Sequence, residues 1–354
     1  MLIHNSYFIR ASIFFIFLLS ISSCKWFGGK ENGQINTGTS EDFKSVKIVR
    51  FEEELFKIAP NNLLEGLQAL RKKNPDFYDI YFERVLQVTS NAGDYNSYTP
   101  LVLDFLTNKY VKGLYDTTQS HFPDLKQFES EMNKAMKNYV KHFPDSTVPT
   151  IYTFISEFGN QAFTFEKCLG VGIDMYLGVD YPYYKSSDLN FPAFMVERFT
   201  PKNMVINAVN VMSTDLMTEL PQNGFLLDHM IYYGKSCYFM EKILPFRKQY
   251  ELINYSKENW EWCELNEGRI WEFFVGKELL FSPGMLDFKK YLEDAPTTSG
   301  MPAGAPGKVG VWTGWMIVRK YMQENPNVSL SELMKMDNSR AILEGSGYKP
   351  RVTK

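Results

Sequence analysis

Metal-dependent hydrolysis needs neutral imidazoles or thiolates gathered into one shell. The helical H-E-x-x-H pattern supplies two histidines on one face together with a base. In 354 residues the material for such a shell is four histidines, His4, His121, His142 and His229, and four cysteines, Cys24, Cys168, Cys237 and Cys263. No histidine has a second one four positions away, and no C-x-x-C spacing occurs. His229 follows Asp228 and stands four residues before Tyr233, a setting that can hold a proton but makes a poor metal shell. It reads as a hydrogen-bonded core or surface histidine, and neither a metal nor a cofactor is expected. No G-x-S-x-G elbow offers a serine nucleophile. The stretch 300–308 ends in Gly307 and Lys308 but has Pro302 where a phosphate loop needs its first glycine. It also has Val309 where that loop needs the hydroxyl that holds magnesium. Gly170 and Gly172 open a G-x-G that no third glycine completes. With 41 acidic residues some carboxylate pair always presents itself, so glycosidase chemistry is neither singled out nor dismissed.

The N-terminus carries a different kind of chemistry. Residues 11–21 form an almost wholly apolar run after Arg10, with the outline of a secretory signal. At helical rise the run spans about 16 Å, roughly half of a hydrocarbon core, too little for a permanent membrane span. It ends in Ile21-Ser22-Ser23-Cys24, which resembles a bacterial lipobox. Small residues suit the signal peptidase, and the Cys24 thiol takes the diacylglyceryl group. Acyl chains at ~0.8 kcal/mol per buried methylene would then hold the mature protein on a membrane. Lipidation leaves Cys168, Cys237 and Cys263, an odd number that reads as buried thiols rather than a disulfide framework.

The composition is that of a globular chain, with 44% hydrophobic, 22% charged and 16% aromatic residues. Net charge is −3, and it becomes −4 once Arg10 leaves with the signal. Bases and acids are interspersed, so no positive field would collect nucleic acid. The aromatic load, 28 Phe, 21 Tyr and 6 Trp, points to a large core, exposed grooves, or both. It falls chiefly in a Tyr-rich connection over 180–192 and around Trp260, Trp271 and Trp312.

These residues must be positioned by helices for the most part. Residues 28–41 lack any apolar period and read as a flexible tether of about 25 Å reach. From about residue 48 the period is helical. Leu63, Leu64, Leu67 and Leu70 share one face, and Tyr78, Tyr81, Phe82, Val85 and Leu86 repeat at threes and fours. Residues 123–141 form an amphipathic helix with Leu125, Phe128, Met132, Met136 and Tyr139 inside. Short β-branched and aromatic runs at 150–154, 162–166 and 169–176 predict two or three strands. Helices follow over 204–219, 225–244, 260–277 and 308–324, and Ser329 with Glu332 forms a capping box for another. Helix, small sheet, helix without a linker predicts one domain over 45–354, after a signal at 1–23 and a lipidated tether at 24–44.

Two segments are more distinctive than these generic patterns. FLLDHMIYYGK at 225–235 continues to Tyr238-Phe239 and Leu244-Pro245. APGKVGVWTGWMIVR at 305–319 continues to Tyr321-Met322 and to GYKP at 347–350. With GIDMYLG at 172–178 and the lipobox, they closely resemble the gliding-motility-associated lipoprotein B family of the Bacteroidota, in order, from about residue 45 to 350. The resemblance implies a cell-envelope lipoprotein associated with gliding motility and with the type IX secretion machinery, whose partners are other envelope proteins of those systems. No acidic cluster follows Cys24, so a periplasm-facing anchor is expected rather than surface export. The family is also distantly similar to gluzincin-like metallopeptidases, where an H-E-x-x-H helix precedes a second helix of pattern L-L-D-x-x-x-x-E-G that carries the third ligand. Here the second pattern stands as Leu226-Leu227-Asp228 to Tyr233-Gly234, with Tyr233 at the Glu position, and residues 204–219 hold no histidine.

What is retained suggests packing or binding. Gly307, Gly310 and Gly314 lie at spacings of three and four, predicted to form one helix face that lets another helix approach. Trp312 and Trp315 flank that stripe and are expected to cover the place of the lost metal. Tyr233, Gly234 and Lys235 pack there or form a partner-binding surface. The expectation is an α+β, predominantly helical, degenerate gluzincin-like domain with a small sheet, non-catalytic, acting by binding or assembly in gliding or secretion. The alternatives are an envelope hydrolase, peptidase or glycan-cleaving, that uses carboxylates and Tyr233, and an aromatic-lined glycan binder built on Trp312 or Trp315.

Overall fold

A computed structural model describes residues 43–186, 189–220 and 224–352. The signal, Cys24 and the tether as far as residue 42 lie outside the described residues. The chain opens with a short strand, β1 (Ile48–Arg50), that runs directly into α1 (Phe51–Phe56). The helical period therefore starts three residues later than expected. The β-branched pair Ile48 and Val49 lies parallel to the strand at 151–153 and takes a sheet position instead. α2 (Leu63–Lys73), α3 (Pro75–Ile80), a π turn at Tyr81–Val85, α4 (Tyr95–Thr107), α5 (Lys109–His121) and α6 (Lys126–His142) follow. Leu63, Leu67 and Leu70 are buried as expected, but Leu64 is exposed. The periodicity reading leaves out α4 and α5. Tyr98, Val102 and Leu106 form the buried face of α4, yet Pro100 inside the helix removes an amide donor and masks the signal.

Three strands fall at the expected runs, β2 (Thr150–Phe154), β3 (Ala162–Phe165) and β4 (Cys168–Gly172), but the last run, expected to reach 176, leaves the sheet at Gly172 and turns as a 3-10 helix over Ile173–Tyr176. The sheet order is β1-β2-β4-β3, with β1, β2 and β4 parallel and β3 antiparallel to β4. Because successive side chains point to opposite faces, this sheet divides the core in two. Tyr152, Phe154 and Cys168 face a cluster with Phe51, Phe77, Tyr78, Tyr81, Phe82 and Tyr98. Ile151, Leu169 and Val171 face the larger cluster of the later helices. The aromatic load is thus concentrated in the N-terminal layer as well as where it was expected. Phe51 meets Phe77 and Tyr81 edge-on at 5.0 and 4.9 Å, and Phe77 stacks on Tyr152 at 4.5 Å. Gly170 admits this packing, since a Cβ there would stand 2.7 Å from the Phe163 ring. At the end of the sheet the fully buried Asp174 carboxylate accepts the Ser156 and Phe158 backbone N–H groups, and burial pushes its pKa up to about 7.

The second half is helical: α7 (Ala193–Val196), α8 (Asn203–Thr214), α9 (Leu226–Ile243), α10 (Gln249–Leu252), α11 (Lys257–Leu265), α12 (Glu267–Gly276), α13 (Met285–Leu292), α14 (Val309–Glu324), α15 (Leu330–Lys335) and α16 (Ser339–Ser346). The single helix expected over 260–277 is broken at Asn266, whose side-chain amide donates to the Trp262 carbonyl. The Ser329–Glu332 capping box heads α15 as expected. α9 is buried on nearly all sides, the mark of a central helix rather than a surface one. The result is a predominantly helical α+β fold with one small mixed sheet.

Candidate functional site

α9 and α14 cross with their backbones in contact. A Cβ on Gly314 would stand 1.8 Å from the Met230 carbonyl oxygen, and one on Gly234 would stand 2.3 Å from the Gly314 carbonyl carbon. The other two glycines meet different neighbours. Gly310 faces the Tyr291 carbonyl at 2.8 Å and Gly307 the Ala295 carbonyl at 2.4 Å. Gly307 also precedes α14, which begins at Val309 after Lys308 in a left-handed conformation. The expected single face of three glycines is therefore corrected to three separate close approaches. Trp312 and Trp315 are fully buried, and the Trp260 ring packs edge-on against both at 6.3 and 5.3 Å. Trp315 Nε1 donates to Glu241 Oε2 at 3.0 Å, and Arg319 Nε donates to the same oxygen at 2.8 Å. Neither indole presents a face to solvent, which removes the glycan binder built on these rings.

The rest of the retained pattern on α9 is also engaged. Lys235 is 4% exposed, and its Nζ donates to the carbonyls of Met334 and Met336 at 3.1 and 2.6 Å, closing the end of α15. Burial lowers its pKa to about 8. Gly234 is taken up by the α14 backbone and Lys235 by the end of α15, so neither offers a free side chain to a partner. Tyr233 is half-buried, edge-on to Tyr232, with its hydroxyl pKa raised by burial. His229 is buried against Phe288, its pKa lowered by burial, with Nε2 lacking a hydrogen-bond partner. Cys168, Cys237 and Cys263 are free and buried, and burial raises all three thiols. Among the described residues no group of three His, Cys, Asp or Glu side chains could hold a metal ion.

Where α9 leaves the core the surroundings change. A cleft of about 350 Å³ opens beside its first turn, lined by Phe225, Leu227, Asp228, Phe281, Asp337, Asn338, Ser339 and Arg340. Phe225 and Phe281 are 42% and 43% exposed, with rings 6.3 Å apart and nearly perpendicular. An isolated bridge between Phe225 and Pro283 holds the two segments together. The Arg340 guanidinium lies over the Phe281 ring at 4.7 Å. Asp228 Oδ2 accepts the Phe225 backbone N–H at 2.7 Å, an N-terminal cap for α9, and Asn338 Oδ1 accepts that of Ala341 to cap α16. A smaller opening adjoins through Asp228, Asp337 and Ser339 and adds Glu219 and Lys235. Of this cleft, sequence reasoning singled out only Asp228. The Asn338 cap was a local signal for the start of α16, but nothing local places α16 beside Phe281.

The sequence profile of the family described as gliding motility protein GldB matches residues 32–350. The chain belongs to that family. The match spans both core clusters, the sheet and the cleft, and it links this GldB-family chain to gliding motility. No curated protein and no solved structure matches the chain. No described helix is long and apolar enough to cross a membrane.

Proposed function

We propose that this GldB-family chain is a non-catalytic envelope lipoprotein that supports gliding motility, or the type IX secretion machinery that accompanies it, by binding or assembly. One observation carries the reading. The stretch that parallels a metallopeptidase ligand helix is engaged residue by residue in architecture: Asp228 caps α9, Gly234 seats the α14 backbone, and Lys235 closes α15. Tyr233, at the ligand position, is held half-buried with its hydroxyl neutral, and a neutral phenol is a poor metal ligand. The test is elemental analysis of the full-length protein extracted in detergent, alongside a proteolysis assay. No stoichiometric zinc and no cleavage are expected. Stoichiometric zinc with cleavage abolished by a chelator would sink the proposal in favour of an envelope hydrolase.

Anchoring belongs to the same proposal. Lipid on Cys24 holds the chain on a membrane facing the periplasm, and the segment up to residue 44 spaces the domain from the headgroups. Cys24→Ala is expected to move the protein from the detergent phase to the aqueous phase, or to leave its signal uncleaved. Unchanged partitioning with normal processing would refute the anchor.

A further inference from the structure

We propose that the cleft at the first turn of α9 receives a lysine- or arginine-bearing polypeptide segment of a partner protein. The inference rests on the reading of this chain as a binding protein and names the chemistry of what it binds. The perpendicular Phe225 and Phe281 rings, each more than two-fifths exposed, form an apolar wall above buried Leu227. Such a wall gains little from a small hydrated cation, but it suits the methylene stem of a long basic side chain.

The charges select the same occupant. The cations at the cleft are already engaged: Lys235 by two backbone carbonyls, Arg340 by the face of Phe281. The carboxylates outnumber them, three to two. Asp337 and Glu219 form no ion pair among the described residues, though the Asp337 charge favours the protonated form of the neighbouring Lys235, and Asp228 accepts the Phe225 N–H on one oxygen. Asp228 and Asp337 line both the cleft and the opening beside it, where Glu219 stands, so three carboxylates stand against two cations across the pair. A basic head placed there meets carboxylates while its stem covers the rings, the aromatic-and-charge combination that anchors interfaces.

The test uses the full-length protein in detergent micelles, with a fluorescent tetralysine peptide as probe, tetraglutamate as the control, and anisotropy as the readout. Tetralysine is expected to bind and to lose affinity as salt screens the contact. Asp337→Lys and Phe281→Ala should each weaken it by about tenfold or more, whereas Asp104→Lys, on the exposed side of α4, should not. Phe281→Ala keeps the test informative if the charge reversal unfolds the protein. No binding, equal binding of tetraglutamate, or an equal loss in Asp104→Lys would overturn the proposal. None of these outcomes bears on the non-catalytic reading, which chelator-sensitive proteolysis breaks without altering the peptide result.

Discussion

Gly234 and Phe225 stand about 14 Å apart along one helix, and the two places use that helix in opposite ways. Around Gly234 the α9 backbone touches that of α14, Trp315 and Arg319 share one Glu241 oxygen, and Lys235 is sealed under the end of α15. Around Phe225 two rings stand half in solvent, and the nearby Asp337 and Glu219 form no ion pair among the described residues. The distinctive segment 225–235 runs from the open end to the sealed one, but the cleft partners Phe281, Asp337 and Arg340 lie outside it. The sealed end tolerates no side chain at Gly314, where a Cβ would stand 1.8 Å from the Met230 carbonyl oxygen, whereas a cleft wall leaves room for other residues.

The contrast predicts graded effects. Gly314→Ala forces a Cβ into the Met230 carbonyl, and overpacking against rigid backbone should cost about 3 kcal/mol or more, read as a loss of midpoint in chemical denaturation. A cost below about 1 kcal/mol would mean that the seam yields, and the contrast would lose its sealed end.

Lys235→Met should cost about 1–3 kcal/mol near neutral pH, because two buried carbonyls lose their donor. Its pH dependence is more specific. The folded pKa, about 8, lies below the ordinary 10.5, so between these values the unfolded chain binds more protons. This contribution to stability is present above 10.5 and lost as pH falls through about 8. The wild type should therefore gain stability from pH 8 to 10 relative to Lys235→Met. Parallel curves would show that Lys235 is not sealed.

Asp174 supplies the opposite slope. Its folded pKa, about 7, lies above the ordinary 3.8, so its contribution is fully present below 3.8 and lost as pH rises through about 7. Asp174→Asn should flatten the fall in stability between pH 4 and 7, as followed by thermal melts. The smallest effect belongs to the open end. Asp337→Asn should shift stability by no more than about 0.5 kcal/mol, since an exposed carboxylate without an ion pair has little folded-state role. A larger loss would move Asp337 from the cleft wall into the architecture.

Much of the fold was legible in short-range pattern. The faces of α2 and α6, the strands after Pro149 and the cap at Ser329 all follow from periodicity and turn chemistry within a dozen residues. The failures have local causes too: Pro100 hides α4, Asn266 splits a helix, and Ile48 and Val49 leave the helical period because a strand distant in sequence pairs with them. The candidate site was less legible. Asp228 stood out as part of a pattern, while Phe281 and Arg340 come together across about sixty residues of chain with no shared period.

Periodicity and residue chemistry were enough to establish a helix-dominated α+β chain with a small sheet and to predict buried thiols, while the particular segments 225–235 and 305–319 carried the resemblance to the gliding-motility lipoprotein family that the match over 32–350 bears out. These properties depend on neighbours a few positions apart, and the order of residues records such neighbours directly. Tertiary contact alone decided that Trp312, Trp315 and Lys235 are interior, that three evenly spaced glycines face three different partners, and that a cleft opens at Phe225. Burial depends on which distant segment arrives to cover a side chain, and a helical face carries no record of its partner until the backbone of that partner is in place.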